Sequence, residues 1–270
     1  MNPATRITLS RFPKQRPPLP PKFAAIYSEH CNSNRNGSST ASGLSQRMES
    51  WMHRKVAADV KRDGLKSTLE IGAGTLNHLA YEPASAPYDI VEPTRARYLS
   101  SPDLHRVRNI YEDVGEVPAT SFYDRIISIA AFEHICNLPE VIARCGLLLA
   151  GDGQLRVAIP SEGTPLWRLG WQMTTGLEFR LKYKLDYGVM MKHEHVNTAA
   201  EIENILRHFF ARVECAVFGI NQSISFYQFY ACASPHRERC ADALHKKSEI
   251  PSTEVGGYVE LLPTQKSLLL

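Results

Sequence analysis

Long apolar runs are missing from this chain of 270 residues: no stretch of about 18 apolar residues occurs, so no spanning helix is expected. The N-terminal segment has no apolar h-region of the kind a secretory signal carries. Six cysteines (Cys31, Cys136, Cys145, Cys215, Cys232, Cys240) show neither a C-x-x-C nor a pairing rhythm, which fits a reducing compartment. A cytoplasmic location is the expectation. No acid precedes Glu29, but Pro13, Pro17, Pro18, Pro20 and Pro21 forbid the amphipathic helix of a transit peptide. The 31 basic residues barely outnumber the 28 acidic ones. A net charge of +3 is too small for the clustered basic face that nucleic acid demands, and no nucleic-acid partner is expected.

Hydrophobic residues make up 43% of the chain, enough for the core of one large α/β domain with tails. Residues 1–34, rich in Pro, Arg and Lys, read as a disordered arm, and 234–270, without sustained periodicity, as a disordered tail. Within the arm, Arg16 to Lys22 reads as a bland linker, or as a polyproline ligand for an SH3-like partner. The folded domain is placed at 35–233. Leu44, Met48, Trp51, Met52, Val56 and Val60 recur at helical spacing ahead of the first strand, with Asp63-Gly64 as the stop. The Asn36-Gly37-Ser38-Ser39 loop before them is placed to fold over a bound cofactor.

The chain is organised around Thr68-Leu69-Glu70-Ile71-Gly72-Ala73-Gly74-Thr75, a β-type run feeding two glycines, after which a helical pattern follows. In a parallel α/β sheet such a turn stands at the switch point where ligands bind. The third glycine of a dinucleotide fingerprint is absent, Asn77 standing in its place, and no G-K-[ST] follows, so a P-loop is excluded. Tyr88 to Val91 reads as the second strand, ending at Glu92, 18 residues beyond Gly74; an acid there can accept both hydroxyls of a ribose. Arg106 to Tyr111 reads as the third strand, followed by Asp113. Tyr123 to Ile129 reads as a buried fourth strand, with Asp124 structural, and Ala130-Ala131-Phe132-Glu133-His134 comes after it. A helix from Asn137 to Leu149 and a fifth strand, Leu155 to Ile159, complete the alternation.

Glu70-x-Gly72-x-Gly74, with Glu92 and Asp113 arriving in order, resembles class I S-adenosylmethionine (SAM)-dependent methyltransferases of the small-molecule branch. The resemblance implies a Rossmann-like sheet of seven strands, mostly parallel with an antiparallel last strand, helices on both faces, and SAM as cofactor. It implies that Glu70 with the Gly72-Ala73-Gly74 backbone orients the methionine end, that Glu92 holds the ribose and Asp113 the adenine amine. It also implies that Ala131 passes close to the sulfonium. Asn34 to Trp51 and Glu194-His195-Val196-Asn197 are similar to a bacterial subgroup tied to surface-polysaccharide or glycolipid biosynthesis. The N/D-P-P-Y/F motif of amino-methylating enzymes is absent after the fourth strand.

Residues 161–196, about 35 in all, break the strand–helix rhythm with aromatics and basic residues interleaved, and read as a lid. A structural subdomain or a peripheral membrane face are the other readings of this insertion. His134 and His195 are the candidate bases. The spacing of His193 and His195 is not the i, i+4 of a helical metal site, so no metal is expected. Thr198 to Glu201 forms a capping box. Two strands then follow, Arg212 to Phe218 and Ile224 to Cys232. The activity expected is methyl transfer to a small-molecule acceptor, foremost a hydroxyl of a sugar or glycolipid precursor. A non-catalytic SAM-binding module, or N- or C-methylation of a quinone-like acceptor, are the alternatives.

Overall fold

The computed structural model describes residues 3–27, 43–60 and 65–248. The Asn36–Ser39 loop, the Asp63-Gly64 stop and the tail beyond 248 lie outside the described residues. Seven strands form one sheet in the order β3-β2-β1-β4-β5-β7-β6. They are β1 (Thr68–Ile71), β2 (Tyr88–Val91), β3 (Asn109–Tyr111), β4 (Tyr123–Ile129), β5 (Leu149–Pro160), β6 (Phe210–Asn221) and β7 (Ile224–Pro235). Strands β1 to β5 pair in parallel, and β7 runs antiparallel to both β5 and β6. Every residue of β1 and β2 is buried, as central parallel strands must be when both faces are covered.

The helices are α1 (Pro3–Leu9), α2 (21–27), α3 (Gly43–Val56), α4 (Arg95–Tyr98), α5 (Leu138–Leu148), α6 (Pro165–Trp171), α7 (Leu177–Tyr183), α8 (Gly188–Glu194), α9 (Ala199–Phe209) and α10 (Arg237–Ser248). On one face, α5, α9 and α10 bury Val141, Ile142, Ile202, Ile205, Leu206 and Cys240 against the sheet. On the other, α3 seats Met52 and Val56 over Ile90, Ile127 and Ala158. Helix α9 starts where the sequence predicts: Thr198 accepts from the Glu201 amide while Glu201 reaches back, a complete capping box.

Three expectations need correction. Residues 3–27 are docked rather than disordered. Helix α2 buries Phe23 and Tyr27 with Phe179 and Met190 of the lid, while Lys14 donates to Val196 O at 2.7 Å and to Glu201 at 2.8 Å. The prolines between α1 and α2 hold the chain extended beforehand, so little backbone entropy is lost on docking, and Lys14 and Arg16 find carbonyls instead of solvent. Residues 237–248 likewise form a helix, its Cys240 buried and Arg237 donating to Leu147 O and Leu149 O. The pattern after the glycines gives only a 3-10 turn, Asn77–Tyr81, entered through Leu76 at φ 65°.

Candidate functional site

A cavity opens at the carboxyl ends of β1, β2 and β4, the switch-point edge of the sheet. Its volume is about 120 Å³, open to solvent on one side. Its strand-tip wall is made by Gly72, Glu92, Arg97 and Ala131, its lid wall by His134, Glu194, Arg16 and Tyr27.

The strand-tip wall rests on local geometry. Gly72 adopts φ 75°, open to glycine, and its amide donates to Val91 O at 2.8 Å. A Cβ on Gly72 would stand 2.5 Å from Ala131 Cβ, so any side chain here would collide with the small residue at the β4 tip. Glu92 is nearly buried, and both its oxygens are held by backbone: Gly74 N–H donates to Oε2 and Thr94 N–H to Oε1, each at 2.9 Å. A carboxylate offers about four lone-pair sites, so each oxygen keeps one for a ligand. Arg97 Nη1 lies 3.9 Å from Glu92, and Arg97 Nε is buried with no partner among the described residues.

The lid wall is assembled from distant segments. Arg16 donates to the carbonyls of His193 (2.8 Å), Glu194 (3.1 Å) and His134 (2.5 Å), tying the arm to the lid and to the loop after β4. Tyr27 donates a short hydrogen bond to Glu194 Oε1. His134 Nδ1 stands 2.9 Å from Glu194 O. A carbonyl only accepts, so Nδ1 carries the proton and Nε2 is free. Burial, then the neighbouring His195, lower His134 to about 4. His195 Nδ1 lies 2.7 Å from Glu162 Oε2, a carboxylate also held by Trp167 Nε1 at 2.8 Å. Burial pulls His195 down, but its bond to Glu162 and the charges of Glu133, Glu162 and Glu194 outweigh that and raise it. Glu133, buried behind them, is pushed up to about 7 by burial against the pull of His195.

The structure thus brings Gly72, Glu92, Ala131 and His134 together on the cavity, with His195 packed edge-on against His134 at 4.9 Å. It does not bring the others to the wall. Glu70 is buried beneath the glycine turn, accepting from Tyr88 Oη at 2.8 Å, and burial pushes it up to about 8. Ala73 belongs to the core, and Gly74 serves by holding Glu92. Asp113 caps a 3-10 turn, accepting from Gly115 N–H at 2.5 Å. Arg16, Tyr27, Glu194 and Glu162 had no assigned role in the sequence reading. Arg16 lies 118 residues from the carbonyl of His134 that it binds, a distance no local pattern bridges.

The chain matches no protein-family model and no curated protein. Among solved structures it is similar to the plantazolicin methyltransferase BpumL in complex with a pentazolic desmethylPZN analog and SAH. That match has a TM-score of 0.57 and 12% identity, over 86% of this chain and 96% of that one. It is also similar to the CurJ carbon methyltransferase, with a TM-score of 0.53 and 18% identity, over 78% of this chain and 60% of that one. Strand order, the antiparallel β7 and these likenesses define the class I methyltransferase fold, as the sequence predicts.

Proposed function

We propose that the chain transfers a methyl group from SAM to a hydroxyl of a small acceptor, a sugar or glycolipid precursor. The observation that carries this is Glu92, fixed by two backbone amides on the cavity edge with one lone pair free on each oxygen, opposite the bare backbone of Gly72. A ribose diol fits that carboxylate, and a nucleoside fits a wall where even one Cβ would overlap Ala131. The SAH bound in the BpumL structure supports the same ligand class on this fold.

When bound, SAM supplies a methyl already activated on a sulfonium, so alignment with the acceptor is most of the remaining task, worth about 7–11 kcal/mol. Glu92 accepts from the ribose, and Gly72 and Ala131 keep the wall thin. Glu162 turns the His195 ring so that Nε2 is free for the acceptor's hydroxyl, and assistance of this kind contributes about 10²–10⁴-fold. His134, held neutral, offers a second acceptor nitrogen beside it.

A lipid-linked acceptor is supported by the lid. Leu169, Met173, Leu177 and Leu181, spaced every four residues from α6 through the π-helical turn Gln172–Gly176 into α7, are 51–67% exposed, among Arg168, Arg180, Lys182 and Lys184. An apolar stripe with basic neighbours suits an anionic membrane surface, and no helix among the described residues is long and apolar enough to cross a membrane. The test is incubation of the full chain with labelled SAM and fractionated bacterial extract. Label in an O-methylated sugar or glycolipid is the expected product. SAM bound with no methyl transferred to any fraction would mark a binding module instead. In a parallel assay, Met173→Asp is expected to reduce sedimentation with anionic vesicles while leaving SAM affinity unchanged.

A further inference from the structure

At the β4 tip the chain folds three ligand-type side chains together: Glu133, His134 and His195. One ligand atom from each lies within 4.8 Å of the other two. We propose that these residues bind a divalent first-row transition ion, with Zn²⁺ the ion that the ligand set suits.

Three observations carry the assignment. First, both imidazoles are turned the same way. The Nδ1 atoms of His134 and His195 are occupied by Glu194 O at 2.9 Å and Glu162 Oε2 at 2.7 Å, which leaves both Nε2 lone pairs free. Metal-binding histidines are held in this manner, their second nitrogen donating to a carbonyl or carboxylate that fixes ring and tautomer. Here the outer partners are themselves held, Glu162 by Trp167 Nε1 and the Glu194 carbonyl by Arg16.

Second, Glu133 is 1% exposed, and its Oε2 has no hydrogen-bond partner among the described residues. A buried carboxylate oxygen without a partner is costly unless a cation answers it. Its Oε1 stands 3.8 Å from His134 Nε2, near the roughly 3.4 Å that two ligands show on a tetrahedral ion with 2.0–2.1 Å bonds.

Third, two imidazoles and one carboxylate are the nitrogen and oxygen donors of open catalytic zinc sites, which keep a position for a further ligand. Magnesium would call for an all-oxygen set. His193, the nearer histidine to His195 in sequence, is not one of the three residues whose ligand atoms cluster among the described residues.

Under the proposed methyl transfer, on which this role rests, the open position takes the acceptor's oxygen, and the ion instead of the His195 imidazole lowers its pKa. Ion binding itself does not depend on SAM. The test is calorimetric titration of the chelator-stripped full chain with ZnCl₂, without SAM. One equivalent per chain is expected. Glu162→Gln should weaken Zn²⁺ by about 10- to 100-fold, as loss of an outer partner does, and Glu133→Gln and His195→Ala by more. Absence of stoichiometric binding, or affinity unchanged in both ligand variants, overturns the site. Should those variants fail to fold, the native chain loaded with Co²⁺ decides by NMR. Two paramagnetically shifted, exchangeable imidazole N–H signals support the assignment, and one or none refutes it. Stoichiometric zinc in a protein that never transfers methyl would sink the reading above and leave this one standing.

Discussion

The two walls of the cavity are built on opposite principles. The strand-tip wall gathers Gly72, Glu92 and Ala131 from neighbouring strands of one sheet, and its bonds link residues at most 19 apart in the chain. The lid wall ties Arg16 to His134, and Tyr27 to Glu194 at 167 residues' distance. Backbone geometry makes the first wall, and side chains arriving from four segments make the second. A ligand part common to many proteins suits the first kind of surface, and a part particular to one protein suits the second, because loops and arms vary while strand tips cannot.

The strongest test of this contrast is Gly72→Val. Its Cβ overlaps Ala131 and its φ is strained, so SAM binding should be lost in calorimetry while far-UV circular dichroism is retained. Normal binding in that variant would move the nucleoside off this wall. Next, Glu92→Ala should weaken SAM by about 1.5–3 kcal/mol through loss of charge-assisted bonds, and a loss under roughly 0.5 kcal/mol would remove Glu92 from the ligand.

Glu70→Gln separates the acid under the turn from the acid on the wall. Glu70 ionises near 8 in the fold and at 4.5 when unfolded. Between those values the folded chain holds a proton that the unfolded chain has released. Stability therefore falls as pH rises through the window, at up to about 1.4 kcal/mol per unit. The glutamine variant escapes this. It should match the native chain below pH 4.5, gain about 3 kcal/mol in urea unfolding by pH 7, and bind SAM unchanged. A gain that does not vary with pH would mean that Glu70 is ionised in the fold.

The smallest effect is expected at the lid wall. Arg16→Ala removes the donor shared by three carbonyls and should cost about 1.5 kcal/mol, seen as faster hydrogen exchange over residues 3–27. Exchange no faster than in the native chain would show that Lys14, Phe23 and Tyr27 hold the arm without Arg16.

Much of the strand-tip wall was legible in the sequence because glycine spacing and strand-terminal acids report local backbone demands. Gly72 and Glu92 were found in that way. Glu70 and Asp113 fit the same pattern yet stand off the cavity, since spacing along a strand does not say on which side of the turn a carboxyl ends. The arm was misread because composition records how polar a segment is, but not whether a partner awaits its few apolar residues. Phe23 and Tyr27 find Phe179 and Met190 more than 150 positions later. The sequence reading weighed His193 with His195 for a metal and not the trio proposed above, because Glu133 and His134 stand some 60 residues upstream.

By itself the sequence determined the sheet: β-type runs at regular intervals, two glycines at the first crossover, and a capping box ahead of the final strand pair. These are decided by backbone sterics and hydrophobic period, which act over a few residues. Only the tertiary structure decided that the arm closes over the lid, that Glu162 turns His195, and that Glu133 comes to rest beside both histidines with its Oε2 unpartnered among the described residues. Those contacts join segments far apart in the chain, and close packing in three dimensions, not any local preference, selects them.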